Sequence, residues 1–392
     1  MVVTGLESII KNFPGALVGK RIGLLCHSAS ITSTYEHSIS VFLRSPCQLT
    51  ALFGPQHGMY GQTQDNMVEW EGTLHPALKI PVYSLYGKTR TPGNDALSKI
   101  DALVIDLQDV GARPYTYIWT VKLCLGACEK AGVPVWVLDR PNPIAAMPLD
   151  GPLLSERFYS FVGGAEIPLC HRMTIGEIAL LLKREYFPGV DLHLVSMDGW
   201  WRNSFWHETG LPWVLPSPNM PTPETAVVYP GMVLLEATNM SEGRGTTRPF
   251  EIIGAPYFKP GKALDEVKKF DVPGCVFREH DFIPTFQKWR GEYCRGIQVH
   301  IVAPRKYEPV FTAAALLNAI IRTSDGKFIF KNPPYEYDAV NMPFDILSGD
   351  ETLRETLSRG GDLRELKNKW KESYRDFIVA FRDIARYPEE KQ

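Results

Sequence analysis

Apolar residues in the first half of the chain come in short, nearly continuous blocks, each closed by polar residues with Gly or Pro. The blocks at 21–26 (RIGLLC), 49–53, 82–85, 102–107 (ALVIDL) and 133–138 (VPVWVL) predict strands, and two of them meet an acid, Asp106 or Asp139, at their ends. Short blocks of this kind suit strands covered on both faces. Between them, 36–43 and 120–131 predict helices. Strands alternating with helices imply an α/β fold, a parallel sheet with helices on both sides. Thr174 and Glu177 have the spacing of a capping box that opens an apolar helix to about 186, and 191–197 alternates like a further strand.

The pattern changes after residue 251. Residues 296–302 (GIQVHIV) alternate as a strand, and 312–322 predict an apolar helix. Asp362 and Glu365 form a second capping box after Gly360 and Gly361, opening a long amphipathic helix to about 386. The chain therefore divides into an α/β domain over 1–230 and a smaller α+β domain over 231–392 that folds back on it. A length of 392 residues exceeds one typical core and agrees with two domains.

Composition narrows the functional classes. Hydrophobic residues make up 44% and charged residues 22%, the balance of an ordinary globular protein. A formal net charge of -2 supplies no basic stripe to displace counterions, which argues against a nucleic-acid partner. The apolar runs are too short to span a bilayer. Residues 1–12 lack the basic, apolar and small-residue regions of a signal peptide, so the expected location is cytoplasmic for the chain as given, and periplasmic or secreted for a trimmed mature form. The seven cysteines include no CxxC pair and read as reduced, mostly buried thiols.

Ligands of parallel sheets bind beyond the carboxyl ends of the strands. That rule directs attention to 26–28, to 54–58 with Gln56 and His57, to 106–117, and to 139–143 with Asn142. The stretch 217–251 is the densest in polar groups: Asn219 lies in its first loop, and Asn239, Glu242, Arg244 and Arg248 lie in its second. A carboxylate between two arginines reads equally as a structural ion pair or as the wall of an anion site. No GxGxxG follows the first strand, no GxSxG elbow exists and no HExxH is present. His27, His57 and His171 have no metal-ligand spacing, so neither a metal nor a cofactor is expected.

Acid/base chemistry remains, the kind that cleaves a glycosidic bond with a proton donor and a second carboxylate. The candidate carboxylates are Asp65, Glu69, Glu71, Asp106, Asp109, Asp139 and Glu242. Arg113, Arg244 and Arg248 suit an anionic substrate, and Tyr115 and Tyr117 suit its hydroxyls. The tryptophans at 200, 201, 206 and 213, with Phe205, are either sugar platforms or core.

Six collinear blocks carry a specific resemblance: FGPQHG (53–58), PVYSLYGKTRTP (81–92), IDLQDVGARPYTY (105–117), VLDRPNPI (137–144), LPWVLPSPNMPT (211–222) and NMSEGRGTTRPFE (239–251). Together the chain resembles the NamZ-type exo-β-N-acetylmuramidases. The resemblance implies a Rossmann-like N-terminal domain with a smaller C-terminal domain beside the cleft. It also implies release of N-acetylmuramic acid from non-reducing ends of peptidoglycan fragments, a substrate whose lactyl carboxylate would partner the arginines. Two departures stand out. The family pattern FGPEHG carries the favoured catalytic glutamate, where this chain has Gln56. The turn CHSAS (26–30) replaces a TNPTG-like turn. An engineered trap, a subgroup with its acid at Glu69 or Glu242, and a muropeptide-binding protein without turnover all satisfy the first departure.

Overall fold

The computed structural model describes residues 1–64 and 68–391. In chain order its first nine strands are β1 (Arg21–Cys26), β2 (Gln48–Gly54), β3 (Thr73–Leu74), β4 (Pro81–Ser84), β5 (Ala102–Asp106), β6 (Val135–Leu138), β7 (Asp150–Leu153), β8 (Pro168–Cys170) and β9 (Leu192–Val195). All but β7 and β8 join one sheet in the order β3-β4-β2-β1-β5-β6-β9. Only β3 runs antiparallel, against β4. The other six pair in parallel and, ranked by chain order, lie 3-2-1-4-5-6. This is the doubly wound Rossmann order. Its reversal between β1 and β5 opens a crevice at the strands' carboxyl ends.

Burial explains the continuous apolar blocks. Every residue of β5 and β6 is buried, because helices cover both faces. The helix Tyr117–Ala131 crosses from β5 to β6 and stops at Gly132, whose φ of 67° closes a left-handed C-cap. Helix Ile175–Tyr186 opens with the expected capping box of Thr174 and Glu177.

The C-terminal part holds an antiparallel sheet of β10 (Ile252–Ala255), β11 (Cys275–Glu279) and β12 (Arg295–Ile301), in the order β10-β12-β11. The long helix, Leu363–Ile384, is capped by the Asp362 side chain. It buries Leu363, Leu366, Trp370, Tyr374, Phe377, Phe381 and Ile384 along one stripe. That stripe packs against β7 and helix Ile175–Tyr186 in the first half. One apolar core consequently runs through both halves.

The hairpin of β7 and β8 has no counterpart in the sequence reading, since its strands are short and carry Gly151, Pro152 and Pro168. No helix among the described residues is long and apolar enough to cross a membrane.

Candidate active site

Beyond β2 and β5 the two halves face each other across a cleft of about 510 Å³, counting its open mouth. Gln56, His57, Tyr115, Tyr117, Asn219 and Arg244 of the predicted residues line it, and Tyr229, Glu236, Tyr335 and Glu336 join them. The loop after β2 is tightly packed: a Cβ on Gly54 would stand 2.7 Å from the Trp70 ring. Trp70 Nε1 donates to the Pro55 carbonyl at 3.1 Å. His57 takes a φ of 69° and donates from Nδ1 to the Thr63 carbonyl at 2.7 Å. Thr116 Oγ1 donates to Gln56 Oε1 at 2.7 Å, tying the β2 loop to the start of the β5 helix. Tyr117 donates to the Pro216 carbonyl, and Asn219 Nδ2 donates to the Gln64 carbonyl at 2.8 Å.

Other predicted residues hold the scaffold instead. Asp106 and Arg140, both buried, form a two-pronged ion pair at 2.6 and 2.9 Å. Asp139 accepts from Thr174 Oγ1, the Gly176 amide and Tyr387 Oη, and burial raises its carboxyl to about 6. Asn142 donates to the Met173 carbonyl and accepts from the Ile144 amide. Asn239 joins Tyr257, Ile329 and Lys327. Arg113 is fully buried, and its two terminal nitrogens donate to the carbonyls of Pro152, Ile167, Leu347 and Ser348. Those four bonds lock the β7–β8 hairpin to the C-terminal half and turn the guanidinium away from any substrate anion. Arg248 is exposed, pairs with Glu251 at 3.4 Å and stands outside the cleft lining.

The two favoured acids also lie off the cleft lining. Glu69 is exposed, accepting from Tyr337 Oη at 3.0 Å with Arg90 Nη2 at 3.5 Å. Glu242 is buried between Lys288 at 2.6 Å and Arg244 at 3.3 Å. Burial pushes its carboxyl up, but the two cations prevail and hold it below the ordinary value. The carboxylate expected between two arginines thus has one arginine and a lysine for partners, Arg248 pairing with Glu251 instead, and it is built to stay charged. Asp109 is buried, raised to about 7 by desolvation, and accepts from the Gly111 amide at 2.7 Å. Glu71 is exposed, and Asp65 lies outside the described residues.

The aromatic cluster is packing. Trp200 meets Tyr387 edge-on at 5.0 Å, and Trp206 meets Trp213 at 4.9 Å; neither pair touches the cleft. Among the described residues no group of three His, Cys, Asp or Glu is placed to hold a metal ion.

Two carboxylates that the sequence reading passed over face the cleft. Glu236 is 6% exposed and Glu336 5%. Arg244 Nη2 donates to Glu236 Oε1 at 2.6 Å, and Tyr335 Oη donates to its Oε2 at 3.0 Å. Tyr86 Oη reaches Glu336 Oε2 at 3.4 Å. Burial first, then the charge of Glu236, raises the Glu336 carboxyl to about 7.

Residues 22–224 match the family model described as "Exo-beta-N-acetylmuramidase NamZ, N-terminal", and residues 227–387 match its C-terminal counterpart. The chain belongs to the NamZ exo-β-N-acetylmuramidase family. It is 39% identical over 378 residues to the peptidoglycan beta-N-acetylmuramidase NamZ of Bacillus subtilis (strain 168), covering 96% of this chain and 89% of that one. Two solved DUF1343 family proteins of Bacteroides fragilis NCTC 9343 share the fold. The first has a TM-score of 0.87 at 30% identity, covering 98% of this chain and 99% of that one. The second has a TM-score of 0.78 at 25% identity over 100% of both chains.

A faint sequence signal marks each missed carboxylate. Glu236 closes the apolar run 226–235, as acids close two of the strands. Glu336 sits between two tyrosines just after two prolines. Neither stretch has a helix or strand period, so pattern reading had no purchase on them. Together they place a charged carboxylate and a protonatable one in the same cleft, the pairing that glycoside hydrolysis uses.

Proposed function

We propose that this chain is a glycosidase that removes terminal N-acetylmuramic acid, or a closely related N-acylated sugar, from the non-reducing ends of peptidoglycan fragments. The observation that carries the reading is the NamZ family match on both walls of the cleft, over 22–224 and 227–387. The Bacillus subtilis relative bears the name of that activity. The cleft chemistry agrees: a buried carboxylate pair for bond cleavage and tyrosines for sugar hydroxyls.

Of the three arginines suited to a lactyl carboxylate, Arg244 alone lines the cleft. Its Nη1 has no hydrogen-bond partner among the described residues, so it is the donor left for an anion. Arg244 therefore binds the lactyl group and sets the preference for muramic acid over plain N-acetylglucosamine.

The test is incubation with the disaccharide N-acetylmuramyl-N-acetylglucosamine and mass-spectrometric detection of the products. Equimolar N-acetylmuramic acid and N-acetylglucosamine are expected. An intact disaccharide after prolonged incubation with folded protein would sink the reading in favour of a binding protein.

A further inference from the structure

A glycosidic oxygen needs a proton as it leaves, and few groups in this cleft can supply one. The Gln56 amide is not an acid at neutral pH. Burial drives Tyr115, Tyr229 and Tyr335 well above the ordinary tyrosine value, and Tyr117 upward as well. Glu236 is engaged by the Arg244 guanidinium. Of the two carboxyls that line the cleft, Glu336 is the one left to carry a proton.

Its placement is specified by the turn that carries it. Glu336 and Tyr337 have φ of 45° and 70°, two consecutive non-glycine residues in the left-handed region. Such backbone persists only where surrounding contacts over-determine it. The contacts are present on both sides. Tyr335 and Asp338 exchange two backbone hydrogen bonds of 2.9 Å. The Asp338 carboxylate accepts from the amides of Val340 and Asn341. Tyr335 reaches over to Glu236, while the Tyr337 ring lies 3.6 Å beneath the Arg90 guanidinium and its hydroxyl bonds Glu69. The flanking tyrosines thus pin the turn to two different elements and leave Glu336 between them, buried and facing the cleft.

We propose that Glu336 is the general acid of this cleft and Glu236 its charged partner. This places the proton donor on the C-terminal half, on the 335–338 turn, and not at the end of β2. The proposal rests on the glycosidase reading above. In the step it assigns, the Glu336 O–H proton passes to the glycosidic oxygen as the C1–O bond breaks. The bonding pair stays on that oxygen, and the aglycone leaves as an alcohol. Glu236 stabilises the positive charge at C1. A water oxygen then bonds to C1, and a carboxylate of the pair takes the proton that water loses. One water is consumed and no oxidant or reductant is needed.

The groups facing Glu336 set its titration. Glu236 favours the protonated form, whereas Arg90, Arg244 and the Tyr86 hydroxyl favour the charged one; Tyr229, Tyr335 and Tyr337 complete the surroundings. With burial the carboxyl lies at about 7, the range in which an acid is both protonated and able to donate.

The experiment compares two substrates. The disaccharide has an alcohol leaving group that requires protonation, whereas a 4-nitrophenyl β-N-acetylmuramide releases a phenolate that does not. Glu336→Gln should lower kcat on the disaccharide by about 10²- to 10⁴-fold and cost far less on the aryl substrate. Wild-type kcat/KM on the disaccharide should fall above pH of about 7, with no such fall on the aryl substrate. Equal losses on both substrates, or wild-type turnover of the disaccharide by Glu336→Gln, would overturn the proposal. If that variant fails to fold, the wild-type profiles decide, and coincident profiles overturn it. Wild type silent on both substrates overturns the glycosidase reading itself and the acid assignment with it.

Discussion

Tyr387 Oη donates to Asp139 Oδ2 at 2.6 Å, joining the C-terminal residues to the end of β6. Asp139 is fully buried, and desolvation raises its carboxyl to about 6 even against four donors, the Arg140 and Gly176 amides and the Thr174 and Tyr387 hydroxyls. Because the folded value exceeds the unfolded one, the folded state holds the extra proton and stability falls as pH rises from about 4 to 6. The tyrosine bond opposes that loss, since it favours the charged form. Tyr387→Phe should therefore destabilise most above pH 7, by about 1.5–3 kcal/mol, and less at pH 4. Chemical denaturation at the two pH values checks this. An equal loss at both would assign the effect to packing alone.

The arginines separate by where their donors point. Arg113→Met removes the donors of four buried carbonyls, and its expected cost is at least about 3 kcal/mol of stability. Arg244→Lys keeps a cation but loses the planar fork. It should lower kcat/KM on the muramide about 10- to 100-fold, and by a smaller factor on the matching glucosaminide, which has no lactyl group but still needs Glu236 held in place. Thermal melts of the first variant and paired kinetics of the second test the division. Equal losses on both sugars would remove Arg244 from lactyl recognition.

Gln56→Glu puts a third carboxyl on the cleft wall, beside Thr116. A new negative charge there repels an anionic sugar. KM for the muramide should rise about threefold or more, from a repulsion on the order of 1 kcal/mol. Steady-state kinetics read this directly. A tenfold gain in kcat on the disaccharide would instead mean that a carboxyl at the end of β2 is the better acid.

Behind the cleft the buried Glu242 pairs with Lys288, whose side chain is mostly covered. Lys288→Met should cost about 3–5 kcal/mol, because it leaves a charged carboxylate in a dry site with only Arg244 for compensation. Glu242 sits below its ordinary value when folded, so its contribution is full above the unfolded pKa and disappears as pH falls through the folded one. The gap in stability between wild type and Glu242→Gln should shrink on acidification. Equilibrium unfolding at pH 7 and pH 3 measures it, and a gap that widens in acid would contradict the ion-pair account.

How far the chain could be read depended on the range of the forces involved. Continuous apolar blocks announced β1, β5 and β6, and Thr174 with Glu177 announced a helix start, because period and capping are local. The six blocks from FGPQHG to NMSEGRGTTRPFE were enough to reach the family. Roles were less legible. Arg113 has the composition of an anion binder until the four carbonyls around it are seen. Glu242 looks like an acid until Lys288, from a separate stretch, arrives beside it.

What the sequence determined by itself was the alternation that makes a parallel sheet, the capped start of the helix Ile175–Tyr186, and the family. What only the tertiary structure decided was which carboxylates share a cleft and which of them can hold a proton at neutral pH. Glu236 and Glu336 come from distant stretches and carry no mark of chemistry where they stand. Desolvation and the charge of Glu236 give Glu336 that chemistry, and both depend on distances that exist only once the chain has folded.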